Sequence, residues 1–549
     1  MRKMLMQYTL ISVFLFHALP SLSAPSGESK SFPNVELGYA THAPTFLNVT
    51  ESGITLANYN NIRYAQPPTG DLRFRKPQTP PPSESGVKDG LMNPTPDCVS
   101  SAHPGAPFPG INGTHWGTED CLFLNVRVPE GVKAGDKVPV IHWIHGSAYS
   151  FGSKDLLYTS LDSIGLFSGI KRPEEKFIFV ANNYRLGLYG WSSSPFEEDM
   201  DANVGLHDSV AAVEWTKKYI ERFGGDPDRI TVIGQSAGAG IINMMLTSNG
   251  GIGKLPFSKA ILSSPGIMPR RNVTARRQEV YEQMLKTANC TTLTCLKDIP
   301  EDDLKVINHQ LVTEGENTGG GGAFGPGIGF GPVVDDSYVP DAPQVLLDQG
   351  RFHKEVESVI SSNTLNEGQG TSSDEDMPER FPDYFRMVFP GASDATVKRV
   401  QDMFAVKEGE PPEKLAWDWF TSVFFACNSW GVSSAYSNLG KARRYFLSAP
   451  PAFHGFDILY FFFINSTITP VVDAKVALNV QSYIRNVVSA KSAELPTPPD
   501  APVWPLYGQE SKVLNIKESE LEIVDDPWGK STGICRTLLD IALDPENEA

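Results

Sequence analysis

The chain has 549 residues, 40% hydrophobic and 20% charged, a composition that excludes an intrinsically disordered protein. Its 47 Lys and Arg against 64 Asp and Glu leave a net charge of −17, which argues against nucleic acid and anionic membrane surfaces as partners.

At the N-terminus, Arg2 and Lys3 precede an apolar run from Tyr8 to Leu19, and Pro20, Ser21 and Ser23 follow. Charged, apolar, then small is the order of a secretory signal peptide. Residues 1–23 are therefore expected to be removed and residues 24–549 to form one secreted domain. No stretch reaches the ~18 apolar residues of a membrane span, so no integral anchor is expected. Six cysteines, Cys98, Cys121, Cys290, Cys295, Cys427 and Cys535, fit disulfides in an exported chain. None form a Cys-x-x-Cys pair, so no metal site is expected. Asn48, Asn112, Asn272, Asn289 and Asn465 each begin an Asn-x-Ser/Thr glycosylation acceptor.

Residues 24–35 read as a loose start and Pro80 to Ser85 as a loop. Residues 93–120 are rich in Pro, Gly and Ser, with little periodic pattern. Val138 to Ile144 and Phe177 to Ala181 are short apolar runs expected to be buried strands. Between Leu206 and Phe223, Val210, Ala211, Val213, Trp215 and Ile220 fall at helical spacing. Ile230 to Ile233 reads as a strand and Ala237 to Leu246 as a helix. Buried strands alternating with helices imply an α/β fold, a mostly parallel sheet with helices on both faces. Gly319 to Gly331 holds eight glycines but lacks the Lys-Ser/Thr end of a phosphate loop, so it reads as a surface or pocket-edge loop.

Gly234-Gln235-Ser236-Ala237-Gly238 lies between the expected strand and helix. A Gly-x-Ser-x-Gly pentapeptide in that context is a nucleophile elbow, which lifts the serine hydroxyl off the sheet edge. The helix that follows aims its first amides at developing negative charge. Serine needs a base, usually a histidine oriented by a carboxylate that precedes it in the chain. Three histidines follow Ser236: His309, His353 and His454. His454 precedes the apolar run Ile458 to Ile464 and reads as a strand-end residue, but spacing does not choose among the three. A tetrahedral intermediate also needs amide donors. The expected strand to Ile144 runs into His145-Gly146-Ser147-Ala148-Tyr149, whose small residues leave backbone amides approachable.

Several further stretches carry a family resemblance: Tyr64-Ala65-Gln66-Pro67-Pro68 with Leu72-Arg73-Phe74, Glu119-Asp120-Cys121-Leu122-Phe123-Leu124-Asn125-Val126, Asn183-Tyr184-Arg185-Leu186-Gly187, Phe223-Gly224-Gly225-Asp226-Pro227 and Gly331-Pro332-Val333-Val334-Asp335. The chain resembles the type-B carboxylesterase/lipase family over roughly residues 32 to 540. The resemblance implies an α/β-hydrolase fold with large loop insertions. It assigns Ser236 as nucleophile, Glu367 (after a strand over Val359 to Ser362) as acid member and His454 as base. Ser147, Ala148 and Ala237 would donate the oxyanion amides, and Ser264 would support the triad. It also implies disulfides Cys98–Cys121 and Cys290–Cys295, with Cys427–Cys535 as a third. Three positions depart from the family pattern. Gly146-Ser147-Ala148 replaces a run of glycines, Gln235 replaces a usual Glu, and Asp336 replaces a usual Gly.

The expected activity is two-step hydrolysis of a small-molecule carboxylic ester through an acyl-enzyme, with no cofactor. A catalytically silent, neuroligin-like member would typically have lost the nucleophile, whereas Ser236, Glu367 and His454 are all present. Choline esters are not expected, because Trp116, the tryptophan of the Cys98–Cys121 loop, lies out of register with the family's choline-binding residue. In that loop Pro104, Pro107, Pro109, Gly105, Gly110 and Gly113 oppose a stable helix. Phe108, Ile111 and Trp116 form no helical stripe. The loop therefore reads as a pocket rim rather than a lipase lid, which favours dissolved esters of short to medium acyl chain or bulky alcohol over triacylglycerol.

Overall fold

A computed structural model describes residues 32–104, 111, 113–155, 162–314, 329–370, 376–491, 494–530 and 533–547. The expected signal peptide, the Asn112 acceptor and most of the glycine-rich segment lie outside the described residues. Eleven strands form one sheet: β1 (Phe46–Val49), β2 (Thr55–Arg63), β3 (Phe123–Pro129), β4 (Val138–Ile144), β5 (Ile178–Asn182), β6 (Gly225–Gln235), β7 (Lys259–Ser263), β8 (Ser358–Thr364), β9 (Ala442–Leu447), β10 (Lys512–Ile516) and β11 (Leu521–Asp525). Their spatial order is β11-β10-β9-β8-β7-β6-β4-β5-β3-β2-β1. Every pairing from β5 to β10 is parallel. The antiparallel partners β3, β2 and β1 flank one side and β11 the other. This is the mostly parallel α/β-hydrolase sheet expected from the sequence.

The helices that bear on the site are α1 (Val204–Tyr219), α2 (Ala237–Thr247), α3 (Cys427–Ser437), α4 (Asp457–Phe461), α5 (Ala474–Ser489) and α6 (Ile534–Leu543). Successive strand residues point to opposite faces, so each central strand feeds two cores. On one face Val140, Val180, Val232, Leu262 and Val359 pack with Leu206, Val213 and Trp215 of α1 and with the α2 side chains. On the other, Ile141, Phe179, Ile233, Ile261 and Ile360 pack with Val480, Ile484 and Val487 of α5. Burying one such side chain fully is worth about 1.5–3 kcal/mol, so burial on both faces is what anchors the strand ends that carry the site.

The family landmarks prove to be buried struts. Arg73 pairs with Glu119 at 2.5 Å and donates to the carbonyls of Leu296, Lys297 and Ile299. Arg185 pairs with Asp208 of α1 at 2.7 Å. Tyr64 donates to the Asn183 carbonyl at 2.7 Å. Three disulfides are present: Cys98–Cys121, Cys290–Cys295, and Cys427–Cys535, which ties α3 to α6. Asn272 and Asn289 are exposed. Asn48 instead accepts a hydrogen bond from Asn58 at 2.7 Å, and Asn465 caps its own loop by accepting from Thr467 and Ile468.

One expectation is corrected. The run Ile458 to Ile464 is not a strand: α4 covers its first part, and Phe461, Phe462 and Phe463 plug the core beside α5. The strand that leads to His454 is β9, whose Ala-Arg-Arg-Tyr-Phe-Leu sequence hides a buried element. Its Arg444 is 1% exposed, paired with Asp526 at 2.9 Å and bonded to Asn363 at 2.6 Å. Among the described residues, no helix is long and apolar enough to cross a membrane.

Candidate active site

β4 and β6 are adjacent, with Ile144 opposite Gly234, and the winding of the chain reverses there. Ligands in open parallel sheets gather at such a switch point, outside the carboxyl ends of the strands. Ser236 sits at the carboxyl end of β6, with φ 57° and ψ −123°. A non-glycine residue with positive φ is strained, and the turn holds it there with three backbone bonds. The Ser236 amide donates to the Ser263 carbonyl at 2.9 Å, while the Ser236 carbonyl accepts from Gly240 at 2.9 Å and Gly266 at 3.0 Å. The glycines of the pentapeptide are steric requirements. A β-carbon on Gly234 would lie 2.6 Å from the Gly238 carbonyl carbon, and one on Gly238 would lie 2.1 Å from the Ile144 oxygen.

His454 Nε2 lies 2.8 Å from Ser236 Oγ, and Nδ1 lies 2.5 Å from Glu367 Oε2. A carboxylate only accepts, so Nδ1 carries the hydrogen and Nε2 is left to accept from the serine hydroxyl. Glu367 is 1% exposed, and its other oxygen accepts from Ser264 Oγ and from the Thr364 amide, both at 2.5 Å. Asn366 stitches the Glu367 loop to the His454 loop through its amide to Ala452 and its side chain to Pro451. The Gln235 amide nitrogen stands 3.2 Å from His454 Nε2, so a neutral group meets the imidazole where the family's usual residue is a carboxylic acid. The other two histidines are elsewhere. His353 is buried between Ser248 and Glu355, and His309 packs against His115.

The Carboxylesterase family profile matches residues 45–406. The chain belongs to the carboxylesterase family. Carboxylesterase patB of Aspergillus clavatus is 29% identical over 546 residues, covering 90% of this chain and 94% of that protein. Lipase 1 of Geotrichum candidum is 30% identical over 422 residues, covering 68% and 72%. Among solved structures, Aspergillus niger EstA shares the fold, with a TM-score of 0.77 at 24% identity over 94% of this chain and 99% of that one. The protein is a carboxylic ester hydrolase.

In this carboxylesterase, the segment after β4 departs from the glycine run of its family in sequence while keeping an unusual backbone. Ser147, Ala148 and Tyr149 have φ of 77°, 53° and 61°. Their carbonyls are all engaged: Ser147 accepts from Ser150 and Phe151, Ala148 from the Ser150 hydroxyl, and Tyr149 from Gly187. Tyr184 holds the preceding carbonyls of His145 and Gly146 at 2.9 and 3.1 Å. The amides of Ser147 and Ala148 donate to no described residue. Ala237, as the first residue of α2, has no intrahelical acceptor for its own amide. Asp336, the other departure from glycine, has φ 57°, a conformation that Asp tolerates better than most residues.

Two neighbours of the site escaped the sequence reading. Phe425 packs against His454, with ring centroids 4.3 Å apart and planes tilted by 33°. It is carried by a π-helical segment, Thr421–Ala426, whose Thr421 hydroxyl accepts from the Gly368 amide at 2.9 Å. π-turns recur at functional sites, but their i→i+5 spacing leaves no mark on a 3.6-residue pattern. The second is Asp457, three residues after His454, buried among Tyr445, Ser263 and Glu367. Its position resembles an ordinary first-turn acid, so only the fold marks it out. No group of three or more His, Cys, Asp or Glu side chains that could hold a metal occurs among the described residues.

Proposed function

We propose that Ser236, His454 and Glu367 hydrolyse carboxylic esters in two steps through an acyl-enzyme on Ser236. The unbroken run of hydrogen bonds from Ser236 Oγ through both imidazole nitrogens to Glu367 carries this reading. His454 takes the hydroxyl proton as Oγ attacks the ester carbonyl, then delivers it to the departing alcohol. In the second step His454 takes a proton from water, the hydroxide adds to the acyl carbon, and the proton returns to Ser236 as the acid leaves. Glu367 fixes the ring and offsets the charge of the imidazolium. The Ser147, Ala148 and Ala237 amides receive the oxyanion, and Ser264 holds the second oxygen of Glu367 in place.

We further propose that the enzyme is secreted and glycosylated, and that it acts on dissolved esters of short to medium chain or with a bulky alcohol. The signal-like N-terminus, the three disulfides and the exposed acceptors Asn272 and Asn289 support export. The Cys98–Cys121 loop supports the substrate preference. Its described residues form a two-stranded pair, Ser100–Ser101 with His115–Trp116, tied down by Trp116 to Asp97 and Asn308 to Ser101. A loop pinned in this way is suited to a rim rather than a rolling lid. Tributyrin titrated through its solubility limit, followed by triolein emulsion, tests this. The expected result is saturation below the limit and little triolein turnover. A sharp rise above the limit with rapid triolein turnover would make the protein a triacylglycerol lipase.

A further inference from the structure

Asp457 is fully buried, with Tyr445 donating to its Oδ2 at 2.8 Å and the Ser263 hydroxyl also beside the carboxyl group. A carboxyl group buried next to a second acid, here Glu367, is costly, so one inside a site calls for a reason. The Tyr445 hydroxyl also meets the Ser263 hydroxyl at 2.8 Å. Ser263 in turn accepts the Ser236 amide through its carbonyl, and the next residue, Ser264, holds Glu367. The carboxyl group, three residues past His454, thus joins the histidine loop to the strand end that positions both the nucleophile and the acid member.

We propose that Asp457 is a positioning residue for ester hydrolysis: the Asp457–Tyr445–Ser263 chain locks the three loops of the triad together, and the charge on Asp457 supports the imidazolium of His454. This rests on the assignment of Ser236, His454 and Glu367 given above. The ionisable groups facing Asp457 are Glu367 from the end of β8, His454 from its own loop and Tyr445 from β9. Burial, helped by the negative charge of Glu367, pushes the Asp457 carboxyl up to about 6. Burial drives the Tyr445 phenol well above its ordinary value, so it stays a neutral donor. Above pH ~6 Asp457 is then ionised and adds a second negative charge near His454. Below that it is neutral and the support is lost.

The test is the pH profile of neutral-ester hydrolysis by the full chain, from roughly pH 5 to 9. Asp457→Asn keeps the shape and an acceptor for Tyr445 but removes the charge. Its kcat should fall about threefold to tenfold at pH ~8 with little change in KM, and the acid limb of kcat/KM should move to lower pH. Tyr445→Phe keeps the acid but removes its donor, so the carboxyl ionises at higher pH. The deficit of this variant should peak near pH ~7, where the wild-type carboxyl is ionised and the variant's is not, and shrink towards pH ~9, whereas that of Asp457→Asn persists. A residue that only fills space would lower activity by one factor at every pH. Wild-type profiles in both variants, or pH-independent deficits in both, would overturn the proposal. If Asp457→Asn does not fold, Tyr445→Phe decides alone by the same criterion. Ser236→Ala must abolish the activity being measured, which separates failure of this proposal from failure of the triad assignment.

Discussion

Two turns at adjacent strand ends meet the same demand by different means. The elbow after β6 uses glycine where a β-carbon would collide with backbone: Gly238 has no room beside the Ile144 oxygen at 2.1 Å. The turn after β4 puts Ser147, Ala148 and Tyr149 at positive φ, where glycine would be easier. The first is a requirement of space, which admits no substitute. The second is a requirement of conformation, which costs about 1–2 kcal/mol per residue and is met because nearly every carbonyl in the turn is held. A family pattern of glycines can therefore be lost at the turn after β4 and not at the elbow.

The largest expected effect breaks the elbow's chemistry and leaves its shape. Ser236→Ala should lower ester turnover by several orders of magnitude, and His454→Ala comparably, by analogy with triad knockouts. His353→Ala should retain wild-type-like turnover in whatever fraction stays folded, because the His353 ring nitrogens meet Ser248 and Glu355 while Ser236 meets His454. Steady-state kinetics on a nitrophenyl ester checks this, and equal losses for His353→Ala and His454→Ala would displace His454 as the base.

The next effect breaks the elbow's shape. Gly238→Ala should cost about 3 kcal/mol or more of stability, since the clashing atoms are backbone and cannot swing aside. The smallest is the mirror experiment at the other turn. Ala148→Gly relieves left-handed strain but adds chain entropy to the unfolded state, so stability should rise by about 1 kcal/mol or less. Urea denaturation of both variants measures the contrast. A tolerated Gly238→Ala, or an Ala148→Gly that loses several kcal/mol, would erase the distinction between space and conformation.

The sequence was legible where one physical pattern dominated. β4 is a mostly apolar run, broken only by His142, and its expected span of Val138 to Ile144 matches the observed strand. α1 shows its helical spacing, and the strand-turn-helix around Ser236 needed only the pentapeptide and its flanks. β9 was illegible because Arg443 and Arg444 read as surface, while the fold buries both, giving Arg444 Asp526 and Asn363 as partners. β2 carries Asn58, Asn60 and Asn61 and shows no clean alternation. The apolar run after His454 starts as α4, and short apolar runs do not distinguish a buried helix from a buried strand. Among three histidines, distance along the chain carries no information about approach to Ser236, so the resemblance made that choice. Asp457 and Phe425 matter through contacts that only the folded chain creates.

Covalent labelling shows whether Ser236 is the group acylated by substrate. The folded enzyme is titrated with a fluorophosphonate, activity is followed, and the adduct is located by peptide mass spectrometry. Acylation at Ser236 requires one adduct per chain on Ser236, activity lost in proportion to labelling, and no adduct on Ser236→Ala. Full activity in the labelled enzyme, or stoichiometric labelling of a different serine with loss of activity, would contradict it.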